Sequence, residues 1–170
     1  MRIDATRLKT FLLDAGLVKP AALKKAEQDA AAMGIRLRDA LLNTGQVKEE
    51  EMRRLEAYIL GIPFVDLSRE TIALEVLQMI PEPLARTHNV VAYRKSGTDL
   101  EVAMLDPDDL QTIEFISKKD GLRILARLTT PESIQHALRQ YQKSLEAEFG
   151  DILKKEEGAA PAAVVAGEVI

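Results

Sequence analysis

The strongest constraint on this chain is a self-match. Arg7-Leu8-Lys9-Thr10-Phe11-Leu12-Leu13-Asp14-Ala15-Gly16 returns as Arg36-Leu37-Arg38-Asp39-Ala40-Leu41-Leu42-Asn43-Thr44-Gly45, offset by 29 residues. The match continues through Val18 with Val47, Lys19 with Lys48, Leu23 with Met52, and Glu27 with Glu56. A repeat of this period marks a supersecondary unit used more than once. Two copies are too few for a solenoid, and enough for a small helical module packed on itself.

The periodicity predicts how each copy is built. Leu8, Phe11, Leu12 and Ala15 share one face of a helix over 4–15, which Gly16 ends. Pro20 opens the next helix, whose stripe is Leu23, Ala26 and Ala30. In the second copy Leu37, Ala40, Leu41 and Thr44 face one way and Gly45 stops the helix. Glu49-Glu50-Glu51 then opens a helix carried by Met52, Leu55 and Ile59, with negative charge at the favoured end of the helix dipole. Lys19 and Lys48 stand where N-cap residues are expected.

Beyond residue 60 the period changes. Gly61–Leu67 reads as an extended connector with Phe64 and Leu67 pinned to a core. Leu74, Leu77, Met79 and Ile80 suggest a short helix, and Leu84–Thr87 a further turn. Residues 90–104 read as a hairpin. Asp106-Pro107-Asp108-Asp109 looks like a helix start, with Asp106 as cap and Pro107 at the first position. Residues 122–128 form a third strand, and Thr130-Pro131 begins a last helix expected to end near 148. Gly158–Ala163 reads as a flexible linker, followed by an apolar stub ending at Ile170. The expected class is therefore α+β. A module of four short helices in two repeated pairs (1–60) leads through a connector (61–80) to a small α+β module with a three-stranded sheet (81–148), then a flexible tail (149–170).

The 170 residues contain no Cys, which removes disulfides and Cys-ligated metals. Net charge is −4, giving no general reason to expect nucleic acid. The apolar runs fall short of the roughly 20 residues a membrane span needs, so no direct membrane insertion is expected. Met1–Asp4 does not lead into a signal-peptide core. No Walker A loop occurs, nor a His-Glu-x-x-His. His88 and His136 are far apart and are read as surface histidines, so no metal site is expected. Asp106, Asp108 and Asp109 could serve a cation or acid–base chemistry, but helix capping accounts for them better. No catalytic residue is assigned. Residues 1–60 hold 11 basic and 9 acidic side chains, against a negative whole. Arg7 and Arg36 head equivalent helices, and guanidinium suits phosphate. Exposed helix-end arginines beside a leucine core account for the same pattern.

The ordered set of motifs resembles a known family. The doubled Arg-Leu-x-x-x-Leu-Leu-x-x-Gly, Leu60–Leu67, Ile80-Pro81 with Leu84-Ala85, Leu100–Met104 running into Asp106-Pro107, and Ile134-x-x-Ala137-Leu138-x-x-Tyr141 are similar to the N-terminal region of type II secretion and type IV pilus assembly ATPases. The resemblance covers residues 5 to about 145. It implies a non-catalytic regulatory and docking region at the cytoplasmic face of the inner membrane. Its partners would be an inner-membrane platform protein and a motor domain in cis, and ATP and Mg would belong to that motor. Some members bind cyclic di-GMP through such paired motifs, in the region called the MshEN domain. Carried over, the ligand candidates are Arg7, Leu8, Leu12, Leu13, Gly16, Arg36, Leu37, Leu41, Leu42 and Gly45. The pattern has Gly where Lys9 and Arg38 stand here, and Gln where Ala30 and Ile59 stand.

Overall fold

A computed structural model describes residues 3–168, with side chains described to 143 and at 145–147, 149, 150, 152 and 153. The four helices of the repeat form as the apolar spacing predicts: α1 Ala5–Asp14, α2 Pro20–Met33, α3 Leu37–Asn43 and α4 Glu49–Leu60. α1 packs on α4 and α2 on α3, so each copy gives one helix to each pair. Leu8, Leu12, Leu23, Leu37, Leu41 and Met52 fill the core between them. Lys19 and Lys48 do hold the cap positions of α2 and α4. The missing side-chain cap at Lys48 is partly offset from the other direction, because the Glu51 carboxylate accepts the Lys48 N–H at 3.0 Å.

Gly16 and Gly45 end α1 and α3 in the left-handed region, at φ +68 and +74. Each completes the same closure. Gly16 N donates to Leu13 O and Leu17 N to Leu12 O, while Gly45 N donates to Leu42 O and Gln46 N to Leu41 O. This two-bond pattern satisfies carbonyls the helix end would otherwise orphan.

The second core belongs to the α+β part. Short helices α5 (Leu74–Leu77) and α6 (Glu82–His88) precede strands β1 (Val90–Ser96) and β2 (Asp99–Met104). β1 and β2 are antiparallel and turn at Gly97-Thr98. Helix α7 (Leu110–Asp120) carries the chain over to β3 (Arg123–Leu128), which lies parallel to β2. A parallel neighbour demands such a crossover. The sheet order is β1-β2-β3. Helix α8 starts at Pro131 and lays Ile134, Ala137, Leu138 and Tyr141 on this core. Its N-terminal turn is capped by Thr130, whose Oγ1 accepts the Ser133 N–H. The buried Tyr141 hydroxyl lies 2.7 Å from Leu77 O and 2.6 Å from Ile80 O. Burial pushes its pKa up.

Three expectations need correction. The helix after β2 starts at Leu110, not Asp106: Asp109 is its cap, accepting from Thr112 N. Asp106 instead folds a turn by accepting the Asp108 N–H. Phe64 is only half-buried. It forms a single parallel bridge with Leu128, while Leu67 does enter the core. Helix α8 runs to Glu168 rather than ending near 148, so the backbone is helical through 158–163, where composition suggested a flexible linker. Alanine, the residue behind that suggestion, is also the strongest helix former. The last residues of the apolar stub, Val169 and Ile170, lie outside the described residues.

The two parts meet at α4. Arg53 donates to Leu105 O at 2.7 Å and is paired with Glu49 at 3.1 Å. Arg54 lies 4.4 Å over the Phe64 ring. The connector adds backbone bonds from Val65 N to Leu128 O and from Leu128 N to Pro63 O. Among the described residues, no helix is long and apolar enough to cross a membrane.

Candidate functional site

Some of the matched positions of the repeat border one place. The N-terminus of α1, the entry to α3 and the middle of α4 enclose a cavity of about 560 Å³, bordered by Ala5, Leu8, Arg36, Leu37, Arg38 and Glu56. A hollow of about 320 Å³ adjoins it, sharing Ala5 and Leu37 and adding Lys9, Glu27 and Ala30. Lys9 and Glu27 in the hollow correspond through the repeat to Arg38 and Glu56 in the cavity.

Both pairs are ion pairs. Lys9 Nζ is 2.9 Å from Glu27 Oε1. Arg38 forks Glu56, with Nε 3.2 Å from Oε2 and Nη2 3.0 Å from Oε1. The first pair is half-exposed, with side chains 45% and 40% exposed, although the Glu27 Oε1 that faces Lys9 is itself buried. The second is interior, at 13% and 3%. Burial works against the charged form of Arg38, and the hydrogen bond and charge of Glu56 together with the charges of Glu49 and Asp39 outweigh it, so the guanidinium pKa stands above its ordinary value. Sequence reasoning missed these pairs. The signal was present, because a cation and Glu27 or Glu56 recur with the same separation in each copy.

The two repeat-heading arginines do not form a matched pair. Arg7 Nη2 donates to Ile59 O at 3.2 Å, near the negative end of α4. Arg36 forks Asp39, with Nε 2.9 Å from Oδ2, and is largely exposed beside the cavity. Leu8, Leu12, Leu37 and Leu41 are core residues, and Leu13 and Leu42 pack against that core. Gly16 and Gly45 serve the helix closures described above. Of the ten candidates, Leu8, Arg36 and Leu37 border the cavity.

The acidic cluster after β2 has local work. Burial disfavours ionisation of Asp109, but hydrogen bonds from Thr112 and the contact with His88 prevail, holding its carboxyl below the usual range. His88 Nδ1 is 3.1 Å away. A general base at neutral pH needs the opposite shift. Among the described residues, no group of His, Asp and Glu could hold a metal ion.

Comparison with known proteins places the chain. Residues 60–148 match the MshEN domain, and the chain belongs to the MshEN domain family. It is 27% identical over 150 residues to the type IV pilus assembly ATPase PilB of Myxococcus xanthus, covering 86% of this chain and 26% of that protein. The corresponding PilB of Thermus thermophilus is 27% identical over 148 residues, covering 85% of this chain and 16% of that protein. The chain thus spans about a quarter or less of the curated relatives it matches. Its fold superposes on a structure of MshE with cdg, cyclic di-GMP, at TM-score 0.65 and 27% identity, covering 79% of this chain and 98% of that one. The N-terminal domain of XpsE shares the fold at TM-score 0.55 and 22% identity, over 82% of this chain and 97% of that one. The α+β class and the likeness to part of the type IV pilus assembly ATPase PilB stand on these matches.

Proposed function

We propose that this chain is a non-catalytic regulatory and docking region of a type IV pilus or type II secretion assembly ATPase. In this reading it works at the cytoplasmic face of the inner membrane and links a motor domain in cis to a platform protein. In this reading ATP and Mg belong to that motor, and the sequence here holds no Walker A loop. The helical module (1–60) and the α+β module (81–148) are the working units, joined by the connector 61–80. The carrying observation is membership of the MshEN family over 60–148. The test is sedimentation of the purified chain with membrane vesicles containing the platform protein of its own assembly. Co-sedimentation with these vesicles and not with empty ones is expected, with loss when residues 1–60 are deleted. Equal recovery from both vesicle types overturns the reading.

A second reading is a cyclic di-GMP sensor. The cavity beside Arg36 and the likeness to MshE with cdg favour it. Arg36 would release Asp39 and fork a phosphate, with Leu8 and Leu37 against a base. Glu27 and Glu56 oppose it by placing negative charge at both hollows and occupying Lys9 and Arg38. Arg7, Leu12, Leu13, Gly16, Leu41, Leu42 and Gly45 would act only by shaping the helices that carry the site. Calorimetry with the dinucleotide decides. Heat at micromolar protein that vanishes in Arg36→Ala supports the sensor, and absence of heat removes it.

A further inference from the structure

A different cavity breaks the symmetry of the repeat. Between α1 and α4 lies a groove of about 550 Å³ bordered by Phe11, Leu17, Leu55 and Tyr58, with Asp14 and Glu51 among its polar neighbours. Tyr58 is 75% exposed, yet its ring is not loose: it meets Phe11 edge-on at 5.9 Å and 68°. The repeat shows what packing alone asks for at these positions. Their equivalents on the α2–α3 side are Ala40, Gln46, Ala26 and Asp29, with Asn43 and Ala22 for the two acids. Small residues there let α2 and α3 close together, and both Ala26 and Ala40 are buried. Large apolar residues hold α1 and α4 open, and the space between them is the groove. Folding a helix pair does not require this choice, since the other pair does without it.

The rim carries two carboxylates, Asp14 and Glu51, and one cation, Arg54. Arg54 is drawn off to Glu50 at 2.8 Å and to the Phe64 ring, and Arg7, 6.0 Å over the Phe11 ring, is held by Ile59 O. Among the described residues Asp14 has no ion pair and Glu51 accepts only the Lys48 backbone N–H. An apolar slot with a carboxylate rim complements an amphipathic helix bearing cations beside its apolar stripe.

We infer that the α1–α4 groove docks an amphipathic, basic α-helix of a partner protein. An apolar side chain seats against the paired Phe11 and Tyr58 rings, and Lys or Arg lies beside Asp14 and Glu51. This deepens the docking reading and rests on it.

The probes are two labelled helical peptides of about 18 residues with the same Leu stripe at i, i+3, i+4 and i+7. One carries Lys and the other Glu beside the stripe. Fluorescence anisotropy with the whole chain is expected to show the Lys peptide binding about tenfold tighter or more. Tyr58→Asp should weaken it by about tenfold, as loss of an aromatic anchor does, and Asp14→Lys with Glu51→Lys should reverse the preference. Tyr58 lies outside the core, so circular dichroism should confirm that the variant folds. Equal affinity for both peptides, or affinity unchanged by Tyr58→Asp, overturns the inference. So does a dimer in sedimentation velocity that Tyr58→Asp dissolves, because a second copy would then be the occupant. If Tyr58→Asp still sediments with platform vesicles, the groove is rejected and the docking reading survives. If the peptide preference holds and the wild-type chain ignores those vesicles, the platform is rejected as the partner and the groove stands.

Discussion

The two copies of the repeat place a cation–carboxylate pair at the same positions, and the two pairs belong to different energetic regimes. Lys9–Glu27 joins α1 to α2 near the surface, half-exposed. Arg38–Glu56 joins α3 to α4 in the interior. The reason is where the second helix goes. α2 lies on α3, whereas α4 packs on α1 and also meets β3. A single Lys with mobile geometry suffices in water, where such pairs contribute little. Inside, the fork of Arg satisfies both carboxylate oxygens, as a buried pair requires. Equal spacing therefore does not mean equal worth.

The largest expected effect tests this asymmetry. Glu56→Ala leaves the largely buried Arg38 guanidinium with only the longer contacts to Asp39 at 3.4 Å and Glu49 at 3.8 Å, and should cost about 3 kcal/mol, the low end for a broken buried pair. Glu27→Ala should cost less than about 1 kcal/mol. Urea unfolding of both variants measures the difference, and similar values would break the comparison. The leucine cores should behave alike where the ion pairs do not. Leu12 and Leu41 are both fully buried, so each change to Ala should cost about 2–5 kcal/mol. A large gap between them would mean that the copies differ in packing as well as in electrostatics.

A smaller and equally symmetric effect is expected at the helix ends. Gly16→Ala and Gly45→Ala meet nothing within 4 Å, so only the left-handed backbone resists them. Each should cost about 1–2 kcal/mol in the same urea assay. The smallest effect lies outside the repeat, at Asp109. Its carboxyl is depressed in the folded chain. The stability this adds is present above the ordinary carboxylate pKa of about 4 and is lost as pH falls through the lower folded value. Unfolding followed across that acid range should fall more steeply for the wild type than for Asp109→Asn. Parallel curves would refute the link.

Much of the fold was readable because local spacing decided it. Leu8 and Leu12, or Leu37 and Leu41, fall on one helix face whatever surrounds them, and glycine at 16 or 45 ends a helix for reasons internal to the backbone. The start of α7 was not readable in this way. Asp106 and Asp109 are both competent caps, and His88, which lies 3.1 Å from Asp109, comes from a distant segment. The candidate site was legible in part. Arg36, Leu8 and Leu37 do border the cavity, but the symmetric use of Arg7 and Arg36 fails, since Arg7 finds Ile59 O at the end of α4.

What the sequence determined by itself was the doubled helical plan, the glycine stops of α1 and α3 and the change to strands after residue 88. These depend on periodicity and backbone conformation over a few residues. Tertiary structure alone decided which ion pair is buried, which arginine faces a cavity and which helix pair stays open. Burial and desolvation depend on every element packed around a group, and those neighbours are distant in the chain.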